Sequence, residues 1–303
     1  MSITLVVSFH GGSSGHNNLH SYPGDAKILA TGSSEPSLTK AELRGFTLGT
    51  GGDSYLYVVN GYKDSSEILQ YAPQSDGTYG AGKVWAKDHL DHPFDAVWGP
   101  GGDLYVSNQD PSSDGQIRVT VYSGSGAYQG EFAEGFNELR GIAWAGDTLW
   151  VADEKGGPDQ TGAVIAYANQ GQLPGSPTGA SIAVTDPVHV LYDGARYLYI
   201  GSESGNCVYA YDTAQCNSQT LAVVASSTAS VPIDATGGLA IATDSSSGIQ
   251  YLYVCSREGK AINQYQLDSS VNPPTTSNAS VVQTGLGDDP EFVGVLAPGA
   301  VFN

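Results

Sequence analysis

Six stretches of one kind recur along this chain of 303 residues: TLVVSF at 4–9, YLYVVN at 55–60, DLYVSN at 103–108, TLWVAD at 148–153, YLYIGS at 197–202 and YLYVCS at 251–256. Each is a short apolar run rich in β-branched and aromatic residues and flanked by polar or turn-forming ones, the pattern of a buried strand rather than a helix. Aligned on a shared leucine (Leu5, Leu56, Leu104, Leu149, Leu198, Leu252), successive copies stand 51, 48, 45, 49 and 54 residues apart. A repeat of that length is one four-stranded blade of a β-propeller with slightly long loops.

Three more strands fall into place around each copy. Ahead of it comes an apolar run ending in a turn: GFTLGTGG from 45, DAVWGPGG from 95, GIAWAGD from 141, HVLYDGA from 189 and GLAIATD from 238. After it comes a strand ending in tyrosine: LHSY at 19–22, ILQY at 68–71, VTVY at 119–122, VIAY at 164–167, VYAY at 208–211 and INQY at 262–265. A fourth strand follows, as in KILAT at 27–31 and KVWAK at 83–87. Only five inner strands precede an anchor, because the first anchor opens the chain. The sixth is supplied by PEFVGVLAPGAVFN at 290–303, so the C-terminus closes the ring against the N-terminal strands and removes the free sheet edge. The predicted fold is all-β: a six-bladed propeller occupying 1–303 as one domain.

Composition agrees. Hydrophobic residues at 40 % suffice for a core, and 40 glycines provide for many turns. Against 31 Asp and Glu there are only 12 Lys and Arg, a net charge of −19 that repels nucleic acid and anionic membrane and excludes both as partners. No apolar run is long enough to span a bilayer and no basic leader precedes one, which leaves a soluble protein, secreted or cytoplasmic. Cys207, Cys216 and Cys255 have no metal or disulfide spacing and read as free thiols. A closed ring needs no second copy, so a monomer is expected.

The segment LRGIAWAGDTLWVADEKGGPDQTGAVIAYA at 139–168 resembles NHL-type repeats. The whole chain resembles the broad six-bladed superfamily that also holds gluconolactonase-like and strictosidine-synthase-like proteins and the peptide-amidating lyases. The resemblance is one of architecture and leaves function open. It implies a ligand site over the central channel, where inner strands begin. Gluconolactonase-like enzymes hold calcium there with a Glu, two amides and an Asp. Glu291 matches the first in type, but Arg44, Arg140 or apolar residues stand at the amide positions, so that calcium site is not expected.

Aligned inner strands place Arg44, Phe94, Arg140, Val188, Gly237 and Glu291 in one ring, and Gly45, Asp95, Gly141, His189, Gly238 and Phe292 in the next. Converging ionisable groups suit acid–base work. In an enzyme, a lyase or hydrolase of a small polar molecule, His189 is the candidate acid or base, oriented by Asp95 or Glu291, while Arg44 and Arg140 bind a carboxylate or developing oxyanion. Equally, the arginines form structural ion pairs with Asp95 and Glu291. His10, His16, His89 and His92 lie in loops on the same predicted face. His10, His89 and His92 are the candidate ligands of a divalent metal, calcium or zinc. Asn60, Asn108, Asp153 and Ser202 close the anchor strands and read as loop caps. The competing class is a non-catalytic module binding a glycan, a peptide or a partner protein through aromatic faces. Against it, Trp85, Trp98, Trp144 and Trp150 all fall within predicted strands, which marks them as core.

Overall fold

The computed structural model describes residues 3–10, 17–30, 41–50, 54–62, 65–215 and 220–295. Five blades follow in chain order with inner strands Leu43–Leu48, Pro93–Trp98, Leu139–Ala145, Pro187–Tyr192 and Thr236–Thr243. The sixth sheet joins Pro290–Val295 antiparallel to Leu5–Phe9, with Leu5 opposite Val295 and Val7 opposite Val293. Each inner strand packs beside the next, and Pro290–Val295 returns to Leu43–Leu48, so the ring is closed as the repeat predicts.

The anchor leucines are 2 % exposed or less. Burying each stabilises the fold by about 1.5–3 kcal/mol. In every blade the leucine lies directly opposite the tyrosine of the third strand: Leu5 with Tyr22, Leu56 with Tyr71, Leu104 with Tyr122, Leu149 with Tyr167, Leu198 with Tyr211 and Leu252 with Tyr265. Cross-strand aromatic–aliphatic pairs fix register, because a slip of one residue would turn both side chains to the opposite face. Edge-to-face aromatics then join blade to blade, as Tyr57 with Trp98 at 5.0 Å and Tyr105 with Trp144 at 4.9 Å.

One outer strand departs from expectation. The sixth blade's is only Ala26–Lys27, and the chain then crosses so that Leu29–Ala30 runs parallel to Tyr79–Ala81 of the first blade. Ile28 and Leu29, both 4 % exposed, pack with Tyr71 and Tyr79, and Asn18 holds both the amide and the carbonyl of Leu29 at 2.9 Å. Covering that apolar surface outweighs continuing the sheet.

Two features of the inner strands govern the channel. All six carry a register irregularity where they pair with the anchor strand near its polar end, as between Leu43 and Phe46, Pro93 and Asp95, and Leu139 and Ile142. Such bulges re-aim side chains at a strand's end. Glycines also alternate with larger residues around the second ring. A Cβ on Gly45, Gly141 or Gly238 would stand 2.9, 2.8 or 2.6 Å from the Cα of Asp95, His189 or Phe292 on the next blade. Blades one, three and five therefore yield space that blades two, four and six fill.

Candidate functional site

The six inner strands start, and the six anchor strands end, at one mouth of the channel. Closing residues of the anchor strands tie these ends together. The Asn60 carbonyl oxygen accepts the Glu42 amide at 2.9 Å, Asn108 accepts that of Asp91 at 2.9 Å, and Asp153 accepts that of Glu138 at 2.9 Å, while the Ser202 hydroxyl donates to the Thr185 carbonyl at 2.6 Å. The polar closing residues are caps, as their types suggest, and they bind the segment leading into their own blade's inner strand.

Two aromatic rings of the inner strands lie close to these ends. Phe94 and Phe292 meet with ring centroids 5.1 Å apart, and the guanidinium groups of Arg44 and Arg140 each lie 5.2 Å from the Phe94 centroid. The mouth opens into a cavity of about 470 Å³ lined by His10, Arg140, Glu154, Asp186, Glu203 and Arg257, among others.

Two charged groupings share the mouth. In the first, Arg44 is 2 % exposed and donates to Glu42 Oε1 from Nε at 3.1 Å, bonds Gln109, and approaches His92 Nε2 at 3.0 Å. His10 Nδ1 lies 3.2 Å from Oε1 of the buried Glu291, and the His10 amide donates to the Asp289 carbonyl at 2.9 Å. Burial pushes the Glu291 carboxyl up, but Arg44 and the His10 contact overcome it and hold it down at about 2. The contact with Glu291 likewise raises the His10 pKa against partial burial. His10, Glu42 and Glu291 bring one ligand atom each within 4.8 Å of one another, the one such set among the described residues. In the second grouping Arg140 bonds Glu154 at 2.5 Å and Glu138 at 2.6 Å, Lys155 bridges Glu154 and Asp186 at 2.9 and 3.0 Å, and Arg257 donates to Glu203 at 2.6 Å.

The sequence-predicted residues divide. Arg44, Arg140, Glu291 and His10 meet at the mouth. Asp95 and His189 lie in the ring beneath it, against the glycines of the neighbouring blades. His189, 4 % exposed, meets the edge of Phe292 at 5.2 Å, and burial lowers its pKa to about 3. Burial raises Asp95 to about 7, although its two oxygens accept the amides of Ala96 and Ile142 at 2.8 and 3.1 Å. Asp95 is a clamp between blades, and the arginines take Glu42, Glu138 and Glu154 as partners in its place. Arg44 Nε does stand 4.0 Å from Glu291 Oε2. Of the three candidate metal histidines, only His10 joins the metal-capable set. His92 sits between Arg44 and Asp110, whose oxygen is 3.5 Å from its Nδ1, and His89 stacks on Tyr128 at 3.8 Å. His16 lies outside the described residues.

Sequence reasoning passed over Glu42, Gln109, Glu154, Glu203 and Arg257. Their signal was positional. Gln109, Glu154, Glu203, Arg257 and His10 each directly follow an anchor strand, and the quartet ELRG occurs at both 42–45 and 138–141.

No family model and no curated protein matches this chain. Solved structures similar to it include a nidogen/laminin complex, with 10 % identity over 98 % of this chain and 99 % of that one at a TM-score of 0.68. A periplasmic gluconolactonase of Pseudomonas aeruginosa shows 14 % identity over 97 % and 99 % of the two chains at 0.54. The PQQ-bound aldose sugar dehydrogenase of Streptomyces coelicolor shows 12 % over 82 % and 84 % at 0.57. At these identities the likeness carries the propeller fold alone.

Proposed function

We propose that this propeller is a hydrolase or lyase acting on a small, hydroxyl-rich polar molecule held in the mouth of the channel. The observation that carries this reading is the convergence of His10, Glu42 and Glu291, from segments far apart in sequence, beside a cavity of about 470 Å³. That volume suits a ligand of sugar size, and a lining made almost wholly of polar and charged side chains suits a hydroxyl-rich one. The lining bears Glu154, Asp186, Glu203, Asp234 and Glu258 against Arg140 and Arg257. With both guanidinium groups already paired, the walls favour a neutral or cationic polyol over an anion. Two ends then divide the work: the Arg140–Glu203–Arg257 end holds the substrate, and the His10–Glu42–Glu291 end activates water or removes a proton. His189, neutral and buried in the ring below the mouth, takes no part. The gluconolactonase and sugar dehydrogenase among the similar folds favour sugar lactones as the first substrates to try.

Turnover of a panel of sugar lactones and esters by the native chain is expected, with His10→Ala and Glu42→Gln each slower by about a hundredfold or more at an unchanged melting temperature. Variants as active as the native protein would overturn the assignment. A native protein that turns over none of the panel but retains a glycan or peptide on an array would favour the second reading, a binding module. The ion pairs that already engage Arg140 and Arg257 speak for that reading.

A further inference from the structure

Glu291 is 3 % exposed, and only one of its carboxylate oxygens is engaged. Oε1 meets His10 Nδ1 at 3.2 Å, whereas Oε2 has no hydrogen-bond partner and faces Arg44 Nε at 4.0 Å. A buried carboxylate oxygen without a partner is costly unless another charge satisfies it. Arg44 already faces that oxygen, and the Glu42 carboxylate brings a ligand atom within 4.8 Å of one on Glu291 and one on His10. Arg44 lies against both glutamates, and Arg257 acts on Glu291 from farther off.

We infer that His10, Glu42 and Glu291 together hold one divalent transition-metal ion at the edge of the mouth cavity. This rests on the reading of the mouth as the active site and gives the activating end its means of action. One imidazole nitrogen with two carboxylate oxygens suits zinc or manganese, whereas calcium prefers oxygen ligands throughout. Two ligand atoms each about 2.1 Å from a tetrahedral ion stand about 3.4 Å apart. The 3.2 Å between His10 Nδ1 and Glu291 Oε1 is close to that spacing, and Glu42 needs a modest swing to complete the set. The Glu42 side chain, 17 % exposed and bonded to Arg44, stands close enough to make that movement. With three protein ligands an ion keeps a position open toward the cavity, where bound water becomes a nucleophile near neutral pH. Arg44 and His92, which brace Glu42, orient that ligand without joining it.

Calorimetric titration of the full chain, stripped with chelator, with zinc chloride and with manganese chloride tests the site without reference to turnover. One ion per chain is expected, with a melting temperature that rises on loading. Affinity should fall about tenfold or more in His10→Ala and in Glu42→Gln. His10 is half-exposed and Gln is isosteric with Glu, so both variants should fold, which their melts will confirm. His89→Ala should bind the ion as the native chain does. A native chain that takes up neither ion, or variants that bind both as tightly as it does, overturns the site. Ion binding without turnover on the lactone panel upholds the site and sinks the hydrolase reading. Turnover that survives chelation in a chain that takes up neither ion sinks the site and upholds the hydrolase reading.

Discussion

Asp95 and His189 occupy the same ring position two blades apart, and burial acts on them in opposite electrical senses. Each is driven to its neutral form. Asp95 has a folded pKa of about 7 against an ordinary 3.8, so its contribution to stability is full below the lower value and is lost as pH rises through about 7. His189 has a folded pKa of about 3 against 6.5, so its contribution is full above the higher value and is lost as pH falls toward 3. Between pH 7 and 4 the two offset one another. Asp95→Asn removes one side of that balance. Denaturant unfolding over this range should therefore show the variant losing more stability on acidification than the native chain does. Equal slopes would refute the burial of one charge or the other. In the same way the His189 ring should stay neutral from pH 8 to 4 when followed by NMR, while His10, held by Glu291, titrates above its ordinary value. None of this was legible in sequence. A histidine and an aspartate at strand starts read as site residues, and only the neighbouring glycines show that they face protein instead of solvent.

At the scale of the strand, the predicted elements were found almost entire, because the anchor leucine and the facing tyrosine recur in every blade and alternate correctly for a pleated sheet. The outer strand of the sixth blade was the exception. KILAT reads as a strand by its residues, but the apolar pair Ile28–Leu29 finds more surface to cover on the first blade. The alternating glycines invite a direct test. A methyl on Gly141 would meet the His189 Cα at 2.8 Å and the Val188 carbonyl at 3.1 Å, both on the backbone of the next inner strand. Backbone does not give way as a flexible side chain does. Gly141→Ala is expected to cost about 1–3 kcal/mol in chemical unfolding, the range for overpacking a tight site. A change within about 0.5 kcal/mol, as at an indifferent surface position, would show that the strands can part.

The whole molecule depends on a pairing between its ends. Leu5–Phe9 and Pro290–Val295 are the only strands of their blade to meet from opposite termini, and without the latter both Leu5–Phe9 and its neighbour Leu43–Leu48 lose a partner. Unpaired strand edges associate between molecules. Deleting 290–303 should abolish the cooperative melt and move the protein to large species in gel filtration. A truncated chain that stays monomeric with a native melting temperature would show that the ring does not need its clasp. The same clasp builds the mouth, since it carries Glu291 to within 3.2 Å of His10 across 281 residues of chain.

By itself the sequence determined the six blades, nearly all of their strands, the blade period and the closure of the ring, because these depend on alternation and repeat spacing, which are local and periodic. It also marked Arg44, Arg140, His10 and Glu291 as residues of one face. Which groups share that mouth, which sink beneath it, and what charge each carries were decided only by tertiary structure. Desolvation and through-space partners set those properties, and they come from neighbouring blades whose side-chain volumes no single repeat encodes.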